Sequence, residues 1–398
     1  MDSFFRTHKY LVEHVNSLVQ RRLMSEIDWN HRLIGIKGSR GVGKTTFLLQ
    51  YAKDHFAADN HSCLYINLNN FYFTNRSLVS FADEFRKSGG RTLLIDQLFK
   101  YPDWSRDLRY CYDNFTDLHI VFTGSPVMRL KDPDENPDLA GLVHSYNLRG
   151  YSFREYINLS TGSDFKSYSL EDIIENHLEI AREITAKLKP LAYFQDYLHH
   201  GFYPFFLEKR NFSENLLKTM NMIIEVDVLL LKQMELKYMS KIRKLFYLLA
   251  SSAITIPDAP NVSRLSSEIE TSRATVMNYI KYLKDARLLN WIYPEGEDFP
   301  KKPGRIYLQN TNQMFVIYPN NVSRKALCET FFVNNMVRDR KVNIGAQSDE
   351  FLIDKKYTFK VLAKDEKIKN NTKAIQSVDM IEIGSENIIP LWLFGFLY

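Results

Sequence analysis

The first third of the chain consists of short apolar runs separated by polar and amphipathic stretches. Four of the apolar runs are typical of buried strands: RLIGIK at 32–37, CLYIN at 63–67, RTLLI at 91–95 and LHIVFT at 118–123. Amphipathic runs at 47–56 and 104–114 have the spacing of helices. Strands that alternate with helices predict a parallel sheet with helices on both of its faces.

The rest of the chain shows different patterns. Apolar residues at helical spacing predict an amphipathic helix ahead of the first strand: Leu11, Val12, Val15, Leu18, Val19 and Leu23. Residues 156–249 are helical in pattern, most regularly in LLKTMNMIIEVDVLLLKQ (216–233). The segment PDAPN (257–261) interrupts this region, two short helical patterns follow, and from about residue 305 the pattern is rich in strands.

Residues 38–46 read GSRGVGKTT and fit the pattern G-x-x-x-x-G-K-[ST] at every fixed position. Glycines let such a loop curl so that backbone N–H groups surround phosphate oxygens, and the following helix adds its positive end. Because the match follows a predicted strand and opens a predicted helix, we prefer a nucleotide site to a glycine-rich turn with a surface lysine. The predicted ATP- or ADP-binding residues are Gly38, Ser39, Arg40, Gly41, Val42, Gly43, Lys44, Thr45 and Thr46.

A carboxylate at the end of the third predicted strand completes the metal site. The apolar residues 93–95 lead directly into Asp96. An aspartate at the carboxyl end of a parallel strand lies beside the phosphate-binding loop and orients Mg²⁺, which the threonine hydroxyl of the loop ligates. We therefore predict Thr45 and Asp96 as the residues that hold Mg²⁺.

The predicted catalytic residues are Lys44, Asp96, Gln97 and Ser125. Lys44 supplies charge to the β- and γ-phosphates. Gln97 stands where ATPases with an extra strand between the two motifs usually carry glutamate, and an amide holds water without accepting its proton. Ser125, at the tip of the fourth predicted strand, is a candidate sensor of the γ-phosphate. A plain strand-to-loop turn is the alternative for that serine.

Four spaced segments resemble the AAA+-type ATP-binding proteins common in bacteria and archaea: DQLFKYPDW (96–104), VFTGSP (121–126), YSFREYI (151–157) and HGFYP (200–204). The resemblance implies an α/β fold with an AAA+-like P-loop NTPase core, a helical lid, a winged helix-turn-helix and a small α+β domain related to restriction endonucleases. Together with the patterns above, it predicts four domains. These are the core at 1–160, the lid at 161–237, the winged helix at 238–304 and the nuclease-like domain at 305–398.

The chain departs from that family at positions that matter for hydrolysis. Gln97 stands where the family has glutamate, and Phe99 stands where it has histidine. The family's paired arginines are absent from DLAGL at 138–142. An arginine near the γ-phosphate contributes roughly 10³- to 10⁵-fold in rate. Arg149 and Arg154 are candidates to replace the missing arginines. The alternative is that these two side chains are solvated or pack against the lid. We therefore predict ATP binding with weak or slow hydrolysis.

The predicted winged helix consists of a short helix at 262–270, a turn at 271–272 and a longer helix at 273–289, with a wing from 290–293 and 305–308. Polar and basic side chains at the start of the second helix suit contact with DNA bases and phosphates: Ser272, Arg273, Thr275, Asn278, Lys281 and Lys284. A lid or protein contact within the ATPase is the alternative, with equal weight.

The carboxylates of the predicted nuclease-like domain do not form a complete metal site. The resemblance places Glu329 on the leading helix and the acidic pair at 349–350, but Lys360 stands where the family has an acid and Leu362 where it has a lysine. Metal-dependent cleavage needs several carboxylates and a lysine around Mg²⁺. We therefore predict a packing or protein-binding domain without nuclease activity.

Composition and charge bear on the partners and the cellular location of the protein. The 398 residues carry a formal net charge of +5 and a pI of about 8.8, which permits contact with nucleic acid without requiring it. Three cysteines without CxxC spacing and the lack of a signal-peptide pattern predict a cytoplasmic protein. The apolar end, IIPLWLFGFLY (388–398), is too short to span a bilayer, so we expect a buried closing strand and no membrane partner.

These observations favour a protein that uses ATP or ADP with Mg²⁺ to set the arrangement of its lid and C-terminal domains. Two alternatives stay open. One is a DNA-binding regulator in which nucleotide is a structural ligand, and the other is an active ATPase motor, which Gln97 disfavours.

Overall fold

The computed structural model describes residues 1–15, 20–57, 60–208, 211–229, 234–369 and 372–398. These residues divide into two compact units, 1–150 and 151–398. The four-domain division drawn from the sequence stays a prediction.

The first unit is built on a five-stranded sheet. Its strands are β1 (Leu33–Lys37), β2 (Cys63–Asn67), β3 (Thr92–Asp96), β4 (His119–Gly124) and β5 (His144–Asn147). They lie in the order β2-β3-β4-β1-β5, and every neighbouring pair is parallel. The first four match the predicted strands, and β4 inserts between β1 and β3. The short edge strand β5 was not predicted, because no apolar pattern marks HSYN and none of its residues is buried.

Six helices accompany this sheet: α1 (Asp2–His14), α2 (Leu23–Glu26), α3 (Lys44–His55), α4 (Tyr72–Asn75), α5 (Leu78–Lys87) and α6 (Trp104–Asn114). The prediction of one helix through residues 11–23 was wrong in its bounds. The helix begins at Asp2 and ends at His14, since Val15 has extended backbone angles, and a separate turn starts at Leu23. Two residues of that prediction, Leu18 and Val19, lie outside the described residues.

The second unit contains a seven-stranded mixed sheet. Its strands are β6 (Leu289–Pro294), β7 (Arg305–Leu308), β8 (Val342–Ile344), β9 (Glu350–Ile353), β10 (Tyr357–Leu362), β11 (Ile375–Val378) and β12 (Ile388–Pro390). The order is β12-β11-β10-β9-β8-β6-β7. The antiparallel hairpin β6–β7, which corresponds to the predicted wing, pairs through β6 with β8. The predicted wing and the strands beyond residue 340 therefore share one sheet.

Within the described residues, the second unit has nine α-helices: α7 (Phe153–Thr161), α8 (Leu170–Lys187), α9 (Pro190–Asp196), α10 (Phe212–Met222), α11 (Met239–Thr255), α12 (Val262–Glu268), α13 (Arg273–Asp285), α14 (Thr311–Ile317) and α15 (Arg324–Met336). The α/β fold class is confirmed: a parallel P-loop sheet is followed by a helical region and an additional sheet.

A buried polar segment ties two distant parts of the second unit together. Residues 309–313 (QNTNQ) are at most 5% exposed. Thr311 donates to the carbonyl of Leu198 (2.6 Å) and Asn312 to that of Tyr197 (3.0 Å). These carbonyls belong to a π-helical turn, Tyr197–Gly201, whose wide spacing disturbs the regular i→i−4 ladder. The polar segment therefore satisfies backbone groups that are buried in the core.

The periodic run 216–233 is helical in its described part, where α10 ends at Met222 and leads directly into a π-helical turn, Ile223–Val228, while residues 230–233 lie outside the described part. Two other predicted elements of this unit are corrected. The longer helix of the predicted winged helix stops at Asp285 rather than 289. The chain end is buried as expected, but only Ile388–Pro390 is a strand, and Leu391–Phe396 form a 3-10 helix.

Candidate nucleotide-binding site

The predicted phosphate-binding loop joins β1 to α3. Gly41 (φ 78°) and Gly43 (φ 92°) adopt left-handed backbone angles, which residues with a Cβ rarely tolerate. A Cβ on Gly38 would lie 2.6 Å from the carbonyl oxygen of Leu148. The glycines are therefore needed for the loop to curl. The helix α3 begins at Lys44, directly behind this curl.

Lys44 lies across the loop. Its Nζ donates to the carbonyl oxygens of Gly38 (2.7 Å) and Ser39 (2.8 Å). On the other side of the loop, the buried guanidinium of Arg21 donates to the carbonyls of Val42 (3.2 Å) and Gly150 (3.1 Å). Arg21 was missed by the sequence analysis, because a lone arginine in a turn carries no pattern. It fixes the main chain of the loop to the segment after β5.

Asp96 ends β3 and is 1% exposed. Its Oδ2 accepts hydrogen bonds from the Thr45 hydroxyl (2.6 Å) and the Tyr65 hydroxyl (2.9 Å). Its Oδ1 accepts from the Thr123 hydroxyl and from the N–H of Gln97 (3.0 Å). The structure thus brings together the two predicted metal residues, at the edge of the sheet where β1, β3 and β4 end.

Gln97 has a left-handed backbone (φ 55°), which is uncommon for a residue with a long side chain. Its N–H also lies 3.0 Å from the Thr123 hydroxyl, so the turn after Asp96 is held by two acceptors. Two residues later the ring of Phe99 is covered by the Arg40 guanidinium, with 5.2 Å between the guanidinium carbon and the ring centre. The loop and the turn after β3 are therefore in direct contact.

Near the end of β4, the residue that contacts Asp96 is Thr123 and not the predicted sensor Ser125. Ser125 is buried just beyond β4, and its hydroxyl accepts the N–H of Val127 at 3.4 Å. Thr123, two residues earlier, is the side chain of this strand that bonds to Asp96. Thr123 and Tyr65 were missed, since hydroxyls within apolar strands resemble ordinary strand residues. The role of Ser125 as a sensor stays a prediction.

The residues of the loop fit a nucleotide phosphate and Mg²⁺. Gly41 and Gly43 give the loop its curl, and the ammonium group of Lys44 lies beside the neutral carbonyl oxygens of Gly38 and Ser39. The Thr45 hydroxyl gives its proton to Asp96, so its oxygen lone pairs stay available to a cation. When bound there, Mg²⁺ would neutralise negative charge on the phosphate groups.

Arg154, one of the two candidate arginines, belongs to the second unit and is 7% exposed. It donates to the carbonyl oxygens of Tyr398 (2.9 Å) and Phe165 (3.0 Å). These bonds favour the packing interpretation of this side chain. Arg149 is half-buried, and its carbonyl accepts from Arg21.

The carboxylates of the predicted nuclease-like region are paired with cations of the chain. Glu329 is buried on α15 and accepts a hydrogen bond from the Tyr307 hydroxyl (3.0 Å), with Arg305 3.6 Å away and Lys325 3.8 Å away. Burial raises the pKa of Glu329 despite these cations. Lys360 forms a close ion pair with Asp349.

Within the described residues, no cluster of three or more histidine, cysteine, aspartate or glutamate side chains is arranged to hold a metal ion.

The predicted DNA-reading residues lie on α13 and at its start. Ser272 caps the helix, accepting the N–H of Thr275, and Arg273 and Asn278 are exposed. Lys281 stands over the ring of Phe299 (4.7 Å) and Lys284 over that of Trp291 (5.4 Å). The basic side chains of this helix thus face the β6–β7 hairpin.

In the parts of the chain covered by the structure, none of the helices combines the length and the apolar character needed to cross a membrane.

Comparison with known proteins adds two assignments. Residues 30–157 match the model of the AAA domain family, and residues 191–315 match a domain of unknown function, DUF8612. The range matched to the AAA domain family includes the loop at 38–46, Asp96 and Gln97, which supports nucleotide binding there.

One relative covers most of the chain. It is an uncharacterised protein of Methanocaldococcus jannaschii, 29% identical over 277 residues. The alignment covers 66% of this chain and 57% of the relative, so the chain matches little more than half of that protein's length.

Two similar solved structures are PCH-2 of C. elegans and the AMPPCP-bound DnaA of Aquifex aeolicus. PCH-2 is 14% identical, with 71% of this chain and 67% of that chain covered and a TM-score of 0.23. DnaA is 16% identical, with 70% and 86% covered and a TM-score of 0.22. Scores this low describe a limited likeness.

Proposed function

We propose that this chain binds ATP or ADP with Mg²⁺ on the loop at 38–46 and hydrolyses ATP slowly. The observation that carries the proposal is the contact between Thr45 and the buried Asp96, followed in sequence by an amide, Gln97. Thr45 and Asp96 would hold the metal, and Lys44 would leave the loop carbonyls for phosphate oxygens. No carboxylate stands at the position after Asp96 to take a proton from water.

The slow hydrolysis follows from the chemistry of that amide. Gln97 is half-buried, and within the described residues its side-chain amide makes no hydrogen bond to protein. It is therefore available to hold a water molecule through its oxygen and nitrogen. A general base accelerates such a step by roughly 10²- to 10⁴-fold, and an amide provides none of this.

The test compares nucleotide binding and single-turnover hydrolysis in the wild type and Gln97→Glu. We expect equal ATP affinity and a hydrolysis rate at least roughly 10-fold higher in the variant, because the new carboxylate accepts a proton. Gln50→Glu, a change of the same kind on α3, serves as the matched control. Rapid turnover by the wild type, or no gain in Gln97→Glu, would contradict slow hydrolysis through a missing base.

We also propose that the nucleotide sets the arrangement of the predicted helical lid, winged helix and C-terminal domain. ATP and ADP shift such an equilibrium only if the alternative arrangements bind them with different affinities. Hydrogen exchange of the full chain with ATP, with ADP and without nucleotide tests this. Exchange that differs between the ATP and ADP forms in residues 151–398 supports the switch, and three identical patterns refute it.

DNA binding is the second candidate function. It is favoured by one observation: α13 carries exposed Arg273 and Asn278 at its start, next to a hairpin whose aromatic rings hold Lys281 and Lys284. Duplex DNA titrations at two salt concentrations test it. Binding that weakens as salt rises and is reduced in Arg273→Glu supports a DNA regulator. No binding at low salt leaves this surface to protein contact.

Two further assignments are proposals of the same kind. We place a protein partner on the C-terminal region, because the cations near Glu329 and Asp349 occupy the space that a metal needs. We place the protein in the cytoplasm, since Cys63, Cys111 and Cys328 are all free and buried. A pull-down with residues 151–398 deleted and cell fractionation test these two points.

A further inference from the structure

Tyr65 connects the edge strand of the first sheet to the metal residues. It lies in β2, is 5% exposed, and its hydroxyl donates to Asp96 Oδ2 at 2.9 Å. A tyrosine in an apolar strand thus reaches into the site.

The four hydrogen bonds to Asp96 are distributed evenly. Two donors reach each carboxylate oxygen, which matches the roughly four lone-pair positions of an ionised carboxyl group. Thr45 and the Gln97 N–H bring the loop and the turn after β3 to the carboxylate, while Thr123 comes from β4. Tyr65 alone approaches from β2. Its bond adds a contact to the carboxyl group from a strand to which none of the other three donors belongs.

The backbone of Tyr65 is held separately from its hydroxyl. Because β2 is the edge strand, its outward N–H groups have no neighbouring strand. The N–H of Tyr65 donates instead to Nδ1 of His8, on α1, at 3.0 Å. The ring is therefore anchored by the main chain and by burial. Loss of the hydroxyl alone removes the bond to Asp96 and leaves the packing of the ring.

We propose that Tyr65 is a positioning residue for the metal site: its hydroxyl orients Asp96 so that Thr45 and Asp96 together hold Mg²⁺ with the bound nucleotide. This inference rests on the proposed nucleotide-binding function and adds a residue from β2 to it. Hydrogen-bond partners of metal-site carboxylates typically contribute roughly 10- to 100-fold in metal affinity. The phosphate contacts of the loop do not involve Tyr65.

The experiment uses the full chain and a fluorescent ADP analogue. Binding is measured with EDTA and over a series of Mg²⁺ concentrations, and Mn²⁺ binding to the ADP complex is followed by electron paramagnetic resonance. In Tyr65→Phe we expect the metal concentration for half-maximal effect to rise by roughly 10-fold. Affinity for the analogue in EDTA should stay within about twofold, because the loop and Lys44 are unchanged.

A second buried tyrosine–aspartate pair provides the matched control. The Tyr101 hydroxyl donates to Asp107 Oδ2 at 2.8 Å in the same unit, away from Asp96. Tyr101→Phe removes the same chemical group and should leave the metal dependence at the wild-type value. Thr45→Ala serves as the positive control, since it removes the proposed metal ligand itself.

The outcomes separate the inference from the function on which it rests. If Tyr65→Phe has the same metal dependence as the wild type, the positioning role is refuted and nucleotide binding is unaffected. Tighter metal binding in Tyr65→Phe also overturns it, because the hydroxyl would then compete with the metal for Asp96. Equal losses in Tyr65→Phe and Tyr101→Phe point to general packing and refute the inference. If the wild type binds no nucleotide, the proposed function fails and the inference fails with it.

Discussion

Two carboxylate centres in this chain resemble metal sites by sequence, yet their surroundings differ. Asp96 in the first unit is surrounded by neutral hydroxyl and N–H donors, while Lys44 is turned toward the carbonyls of its loop. Glu329 and Asp349 in the second unit are paired with Arg305, Lys325 and Lys360. The hydrogen bonds of the first centre come from neutral groups, whereas the carboxylates of the second are paired with cations of the protein.

The comparison shows that the partners of a carboxylate decide its function. Hydroxyl donors stabilise an ionised carboxyl group without cancelling its charge, so a metal ion still gains from binding nearby. A lysine or arginine at the same distance already supplies the positive charge, and a divalent cation placed there is repelled. At the second centre, Lys360 forms such an internal ion pair with Asp349.

We expect the largest effect from removing the positive charge of Lys44, which lies in the loop beside the first centre. In Lys44→Ala we expect affinity for ATP to fall by roughly 1,000-fold, about 4 kcal/mol, because the variant loses the ammonium group that would pair with the β- and γ-phosphates. Titration of a fluorescent ATP analogue measures this. Lys87→Ala, a change at an exposed lysine of α5, should bind ATP as the wild type does. Unchanged affinity in Lys44→Ala would place the nucleotide elsewhere.

A change in the second centre should affect stability instead of ligand binding. Arg305→Met leaves the buried Glu329 without its nearest arginine, so we expect a loss of about 3 kcal/mol in the free energy of unfolding at pH 7. Because burial raises the pKa of Glu329, stability falls as pH rises through that pKa, and the loss in the variant should shrink at low pH.

Urea unfolding at several pH values measures this effect. The control Lys355→Met breaks an exposed pair with Glu295 and should change stability by less than about 0.5 kcal/mol. A pH-independent loss in Arg305→Met would show that packing, and not the charge of Glu329, is responsible.

A third effect, in the first unit, has the opposite dependence on pH. Burial lowers the pKa of His8 to about 4, below its usual value of 6.5, and its neutral Nδ1 accepts the N–H of Tyr65. Protonation is then favoured in the unfolded state. The contribution of His8 is present above pH 6.5 and is lost as pH falls toward 4, by at most about 1.4 kcal/mol per pH unit.

His8→Gln tests this, since glutamine offers an uncharged acceptor for the same N–H. The wild type should lose more stability than the variant between pH 6.5 and 4, in unfolding followed by tryptophan fluorescence. If the free energy of unfolding changes with pH equally in the two proteins, His8 does not contribute to the pH dependence. Other histidines with lowered pKa values, His177 and His200, are present in both proteins and cancel in the difference.

Local pattern alone determined a large part of this protein. The spacing of glycines around Lys44 and the apolar run before Asp96 were sufficient to predict the loop, the strands and the residues Thr45 and Asp96 that meet in the structure. These features depend on neighbours in sequence: a curl needs glycine at specific positions, and a buried strand needs consecutive apolar residues.

Other features were decided only by the tertiary structure. Tyr65 and Thr123 reach Asp96 because β2 and β4 both pair with β3, and a hydroxyl in an apolar strand has no local signature. The same holds for Arg21 at the loop and for the ion pair of Lys360. Each depends on which strands and turns meet in space, and strand pairing is set by the burial of whole faces across many residues. Contacts of this kind connect parts of the chain that local periodicity cannot relate to each other.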